Sequence, residues 1–131
     1  AKVRTKGMIN LTVVALGGAT GAVLRYLISI FVLQLFGSGF PFGTLVVNVL
    51  GSFLMGMIYA LGELSHISPE IKALVGVGFL GALTTFSTFS NETLLLIQGG
   101  ELLKAFLNVA LNLGLCLAMV YLGQLLIFSR V

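Results

Sequence analysis

The stretch Gly78-Phe79-Leu80-Gly81-Ala82-Leu83-Thr84-Thr85-Phe86-Ser87-Thr88-Phe89-Ser90 decides how this chain is read. Its last seven residues carry five hydroxyls inside a run apolar enough to cross a membrane. Hydroxyls are costly in hydrocarbon unless a partner satisfies them. The unit Thr-Phe-Ser occurs twice, at 85–87 and 88–90. Residues three apart are neighbours on a helix surface. A helical segment would therefore carry a Phe stripe, a Thr stripe and a Ser stripe. With two of the three stripes polar, it should face protein or a water-filled path rather than lipid.

The rest of the chain places this stretch in a membrane. Of 131 residues, 58% are hydrophobic and 8% charged, against roughly 25% charged in a soluble domain. Four runs approach the roughly 20 residues a bilayer requires: about 9–35, 42–61, 71–97 and 102–128. Gly37-Ser38-Gly39-Phe40-Pro41 and Gln98-Gly99-Gly100-Glu101 read as turns. The segment 62–72, with Glu63, His66, Glu70 and Lys72, reads as an aqueous loop. Within it, Ser68 fits an N-cap and Pro69 a first helical turn. The runs are continuously apolar and lack the alternation of barrel strands. The fold class is therefore all-α, with four transmembrane helices. Residues 1–7 precede the apolar pattern and read as a basic leader or N-terminal tail, with 8–131 as the membrane domain.

Small residues repeat at helical spacing: Gly17 and Gly21; Ser52, Gly56 and Ala60; Gly78 and Ala82; Gly114 and Ala118. This spacing lets helices approach closely in lipid.

Several chemistries are excluded. One cysteine, Cys116, and one histidine, His66, cannot build a disulfide, a four-cysteine metal site or a histidine cluster. No intramembrane His, Lys or Asp is present to activate the hydroxyls, so an enzyme is not expected. Three of the seven cations, Lys2, Arg4 and Lys6, lie at the N-terminus without aromatic neighbours, which does not make a nucleic-acid surface.

The polar residues within the spans suggest a path. Asn48 lies in the second span. Asn108, Asn112 and Cys116 lie four apart in the fourth, on one helical face. Asn supplies donors without charge, which suits an anion that must pass rather than stick; the same residues also serve as interhelical glue. Arg25 in the first span either snorkels to the interface, forms a structural pair or makes an electropositive vestibule. Glu92 is either a surface carboxylate near the second turn or a guard at a pore mouth.

The stretch Gly78 to Glu92, together with Gly43-Thr44-Leu45-Val46-Val47-Asn48 and Gly21-Ala22-Val23-Leu24-Arg25-Tyr26, closely resembles the Fluc/CrcB family of fluoride channels. The likeness covers nearly the whole chain from Met8, and the Thr-Phe-Ser-Thr-Phe-Ser core is its most specific part. The resemblance implies an antiparallel, dual-topology homodimer of four-helix subunits in a prokaryotic plasma or inner membrane, with two pores built from both subunits. It implies a third helix broken near Gly81–Thr84, whose backbone carbonyls at Gly81 and Thr84 hold a central structural Na+. It places Asn48, Phe86, Phe89, Thr88 and Ser90 on the fluoride path and Arg25 in the first-helix arginine position, with Arg25 and Glu92 at a vestibule. An aromatic ring edge is electropositive, so edge-on Phe can touch an anion. Asn108, Asn112 and Cys116 fall where relatives carry Tyr or Ser hydroxyls, and they complete the expected path. The implied activity is passive export of cytoplasmic fluoride.

Charge bias tests the dual topology. Four spans put both termini and the 62–72 loop on one side, with Lys2, Arg4, Lys6, Lys72 and Arg130, against Lys104 on the other. That bias favours one orientation. Without residues 1–7 it falls to Lys72 and Arg130 against Lys104, so dual topology requires the basic leader to be an addition. Two rivals fit less well. A proton-coupled exporter needs a deep carboxylate, and Glu63 and Glu92 read as near span ends. A noncatalytic assembly subunit accounts for the small residues but not for the hydroxyl-Phe repeat.

Overall fold

A computed structural model of the chain describes residues 2–130, with side chains described for 7–130. Of the expected leader or tail, Ala1 and the side chains of 2–6 lie outside the described residues. The order is α1 (Lys2–Phe36), α2 (Phe42–Glu63), α3 (Pro69–Ile71), a π-helical segment (Lys72–Leu80), α4 (Gly81–Leu83), α5 (Phe86–Gln98) and α6 (Leu102–Phe128). Four helical spans are long and apolar enough to cross a membrane: Gly7–Phe36, Phe42–Glu63, Pro69–Gln98 and Leu102–Phe128. The protein is all-helical among the described residues.

The expected turns and cap follow local chemistry. Gly37 and Gly100 adopt positive φ, 75° and 78°, where only glycine is free of strain. The Ser68 hydroxyl accepts the Ile71 N–H at 3.2 Å, and Pro69 opens α3.

The third span is not a uniform α-helix. Residues 72–80 are π-helical, with the Gly81 N–H still reaching back to the Gly76 carbonyl. Thr84 and Thr85 then leave helical geometry altogether, at φ/ψ of −84°/157° and −150°/120°. The three-residue stripe therefore applies only from Phe86 onward. Thr85 is instead the N-cap of α5: its Oγ1 accepts the Thr88 N–H at 3.1 Å.

Packing is set by glycine. The two most extensive pairings are α2 with α6 and α1 with the π-helical segment. A Cβ at Gly17 would overlap the Leu74 carbonyl, and one at Gly21 the Phe79 carbonyl. One at Gly56 would overlap the Val120 carbonyl and one at Gly123 the Phe53 carbonyl. Backbone thus meets backbone in both pairs, as close helix association in lipid requires. Gly114 does not take the packing role its spacing suggested: it is exposed, with nothing within 4 Å of a Cβ placed there. Gly123, absent from the small-residue repeats, takes that role on α6. The apolar core is small, centred on Val47, Leu80 and Leu83. Most other large apolar side chains point outward, as expected where lipid is the solvent.

Candidate functional site

The site forms where α2 and α6 flank the interruption at Thr84–Thr85. Leaving the helix strands backbone polar groups, and inside a membrane span each needs a partner. Asn48 supplies it. Its Oδ1 accepts the Thr85 N–H at 2.8 Å and its Nδ2 donates to the Thr85 carbonyl at 3.1 Å. One amide side chain thereby pairs with both backbone groups of Thr85. The Thr85 N–H is no longer available to the Gly81 carbonyl, its partner four residues back in an uninterrupted helix. Asn48 Nδ2 also donates to Asn112 Oδ1 at 3.0 Å, tying α2 to α6.

A cavity of about 290 Å³ opens beside this junction. Asn48, Thr84, Phe86, Phe89, Asn112 and Cys116 line it, together with Thr85 and apolar residues of α2 and α6. The structure thus gathers six residues that the sequence singled out separately. Phe86 and Phe89 lie one turn apart on α5, with ring centroids 5.4 Å apart and planes tilted by 52°. Their surroundings differ: Phe89 is 7% exposed and Phe86 73%. The Phe86 ring therefore faces outward from the single chain while still bordering the cavity.

The remaining candidates lie elsewhere. Thr88 and Glu92 border a second cavity, about 430 Å³, with Ser29 and Thr44 beneath the Gly37–Pro41 turn. Glu92 stands within α5 rather than at the following turn, and its Oε1 is buried with no hydrogen-bond partner among the described residues. The Ser90 hydroxyl donates to the Phe86 carbonyl at 2.9 Å and is exposed. Asn108 is fully buried and borders neither cavity; its Nδ2 donates to Thr93 Oγ1 at 2.9 Å. Arg25 Nε donates to the Ala82 carbonyl at 3.0 Å, just before the interruption. Gly81 is exposed on the outer surface of the chain.

Two roles were not anticipated. Thr85 caps α5, and a hydroxyl with another three residues on, Thr85-x-x-Thr88, was the available signal. Thr93 lies beyond the repeat, and nothing in the sequence marks it as the partner of Asn108.

The family profile described as CrcB-like protein, Camphor Resistance (CrcB), matches residues 12–124. Proteins named fluoride-specific ion channel FluC from Shewanella sp. (strain ANA-3) and Shewanella baltica (strain OS185) are each 77% identical over 124 residues. A protein of the same name from Shewanella putrefaciens (strain CN-32 / ATCC BAA-453) is 76% identical over 124 residues. Each match covers 95% of this chain and all of the relative. On the extent of both matches, the chain belongs to the CrcB-like protein family.

Proposed function

We propose that this protein is a fluoride-selective ion channel of the bacterial membrane, conducting fluoride passively outward. The observation that carries this reading is the cavity at the interrupted third span. It offers uncharged amide donors and two phenylalanine rings at membrane depth. Close relatives bear the name of a fluoride-specific channel, and the function comes to this chain by that kinship.

The chemistry follows from the donors. Fluoride is small and strongly hydrated, so close donors must replace its water. Asn48 supplies N–H groups, Asn112, Thr85 and Cys116 lie beside it, and ring edges of Phe86 and Phe89 offer positive potential without charge. Both amide hydrogens of Asn48 already have protein acceptors, the Thr85 carbonyl and Asn112 Oδ1. An anion at Asn48 would displace one of them, so its binding is offset by a lost protein hydrogen bond. That balance keeps the site shallow enough for an ion to leave.

The finer architecture belongs to the same proposal. Two antiparallel copies would form two pores and cover the outward Phe86 ring. The break would serve a structural Na+ between them. The donor set suits a hard cation: Gly81 lies on the outer surface, and its carbonyl is relieved of the Thr85 N–H by Asn48. Gly81 and Thr84 would hold the ion through backbone oxygens, and the ion would supply fixed positive charge at the dimer centre. Residues 1–7 remain, in this reading, a basic tail outside the channel domain at 8–131.

Liposomes loaded with fluoride and monitored by a fluoride electrode test the function. Electrogenic efflux that needs no proton gradient and excludes chloride is expected. Absence of efflux from well-folded protein would contradict the channel.

A further inference from the structure

We infer that Thr93 is a positioning residue for Asn48, acting across two helices through Asn108 and Asn112. This inference rests on the channel reading for its functional consequence, but the geometry stands by itself. The Thr93 hydroxyl donates to the Phe89 carbonyl of its own helix at 2.8 Å. Its hydrogen is thereby spent, and its oxygen presents only an acceptor to α6. Asn108 Nδ2 donates to it at 2.9 Å. That contact turns Asn108 Oδ1 toward Asn112, whose Nδ2 donates to Asn108 Oδ1 at 3.1 Å and to the Asn108 carbonyl at 2.8 Å. Asn112 then offers its oxygen to Asn48 Nδ2 at 3.0 Å. Asn48 is left with Oδ1 toward the Thr85 N–H, at 2.8 Å.

A carboxamide has one donating and one accepting end. Three in series have a single consistent polarity, and the two ends of this ladder agree on it. Thr93 demands a donor at one end, and the Thr85 N–H demands an acceptor at the other. Asn108 is fully buried and borders neither cavity, so water cannot substitute for a missing Thr93 acceptor. Removing the Thr93 acceptor leaves the Asn108 amide unsatisfied and releases the constraint on its orientation. The disturbance should appear at Thr85, which Thr93 does not touch.

The test pairs fluoride efflux from liposomes with amide hydrogen exchange at Thr85 in detergent, on wild type, Thr93→Val, Thr93→Ser and Thr20→Val. Thr20 bonds only to carbonyls within α1 and controls for loss of a hydroxyl. Thr93→Val is expected to slow efflux and speed Thr85 exchange by about ten-fold each. Thr93→Ser, which keeps the acceptor, and Thr20→Val should match wild type in both. The inference is overturned if Thr93→Val leaves Thr85 exchange at the wild-type rate, or if Thr93→Ser is as defective as Thr93→Val. Should the valine variant not fold, Thr93→Cys replaces it: a thiol is a weaker acceptor, so Thr85 exchange faster than in Thr93→Ser supports the ladder and equality overturns it. If wild type itself conducts no fluoride, the channel reading fails, and Thr85 exchange alone decides the ladder.

Discussion

The two halves of the third span solve the same problem in opposite ways. Before Thr84, the chain satisfies its backbone largely internally, with the Ala82 carbonyl taken by Arg25, and packs through missing side chains. Gly76 and Gly78 are buried, and Gly78 presses against α1, where a Cβ would meet the Val14 carbonyl at 2.7 Å. After Thr85, the chain is held by side chains: an amide from α2, a threonine cap and an amide from α6. The first half is a close-packed support. The second half is a set of polar contacts at membrane depth, adjustable one hydrogen bond at a time. A channel needs both, because shallow sites are useful only if they are held in place.

That contrast predicts a graded set of variants. The largest effect is expected for Gly78→Val, where β-branched bulk would be driven into the α1 backbone. It should cost about 3 kcal/mol and sharply lower the yield of folded protein. Retention of the wild-type melting temperature would show that the support is not close-packed.

Next is Asn48→Ala, which leaves both backbone groups of Thr85 without their partner. A stability loss of about 2 kcal/mol is expected, with fluoride efflux abolished while the proposed dimer stays intact by size-exclusion chromatography. Disassembly instead would make Asn48 interhelical glue. Phe86→Ala should also abolish efflux while each subunit keeps its helical fold by circular dichroism, because its ring is largely exposed in the single chain.

Arg25→Lys should cost about 1 kcal/mol, because an ammonium does not reproduce the Nε contact to Ala82. Thermal melting reads this directly. The smallest effect is expected for Gly114→Ala, with melting altered by less than about 1 kcal/mol. A larger loss would mean that this face of α6 is packed against another molecule.

The same contrast explains what could be read from the sequence. The four spans were legible because a bilayer leaves long apolar runs between Gly- and Pro-rich turns. Ser68 and Pro69 were legible because capping is local. Asn48 and Asn112 stood out because amides are scarce in apolar runs, and they meet at one cavity. The π-helical segment was not legible: Lys72–Leu80 is apolar nearly all round, so its pattern carries no phase from which to read a helical period. Gly123 was missed because its partner is Phe53 on another helix rather than a glycine one turn away. Thr93 was missed for the same physical reason. Its importance lies in Asn108, fifteen residues on in the chain and brought close only by the packing of α5 on α6.

The most direct test is fluoride efflux from liposomes bearing wild type or Asn48→Ala, at matched amounts of folded protein, with fluoride and chloride electrodes in parallel. Rapid fluoride efflux from wild type, none above empty liposomes from Asn48→Ala and no chloride efflux from either are predicted. Wild-type liposomes that retain fluoride, or release chloride equally well, would contradict a fluoride-selective path at the interrupted third span.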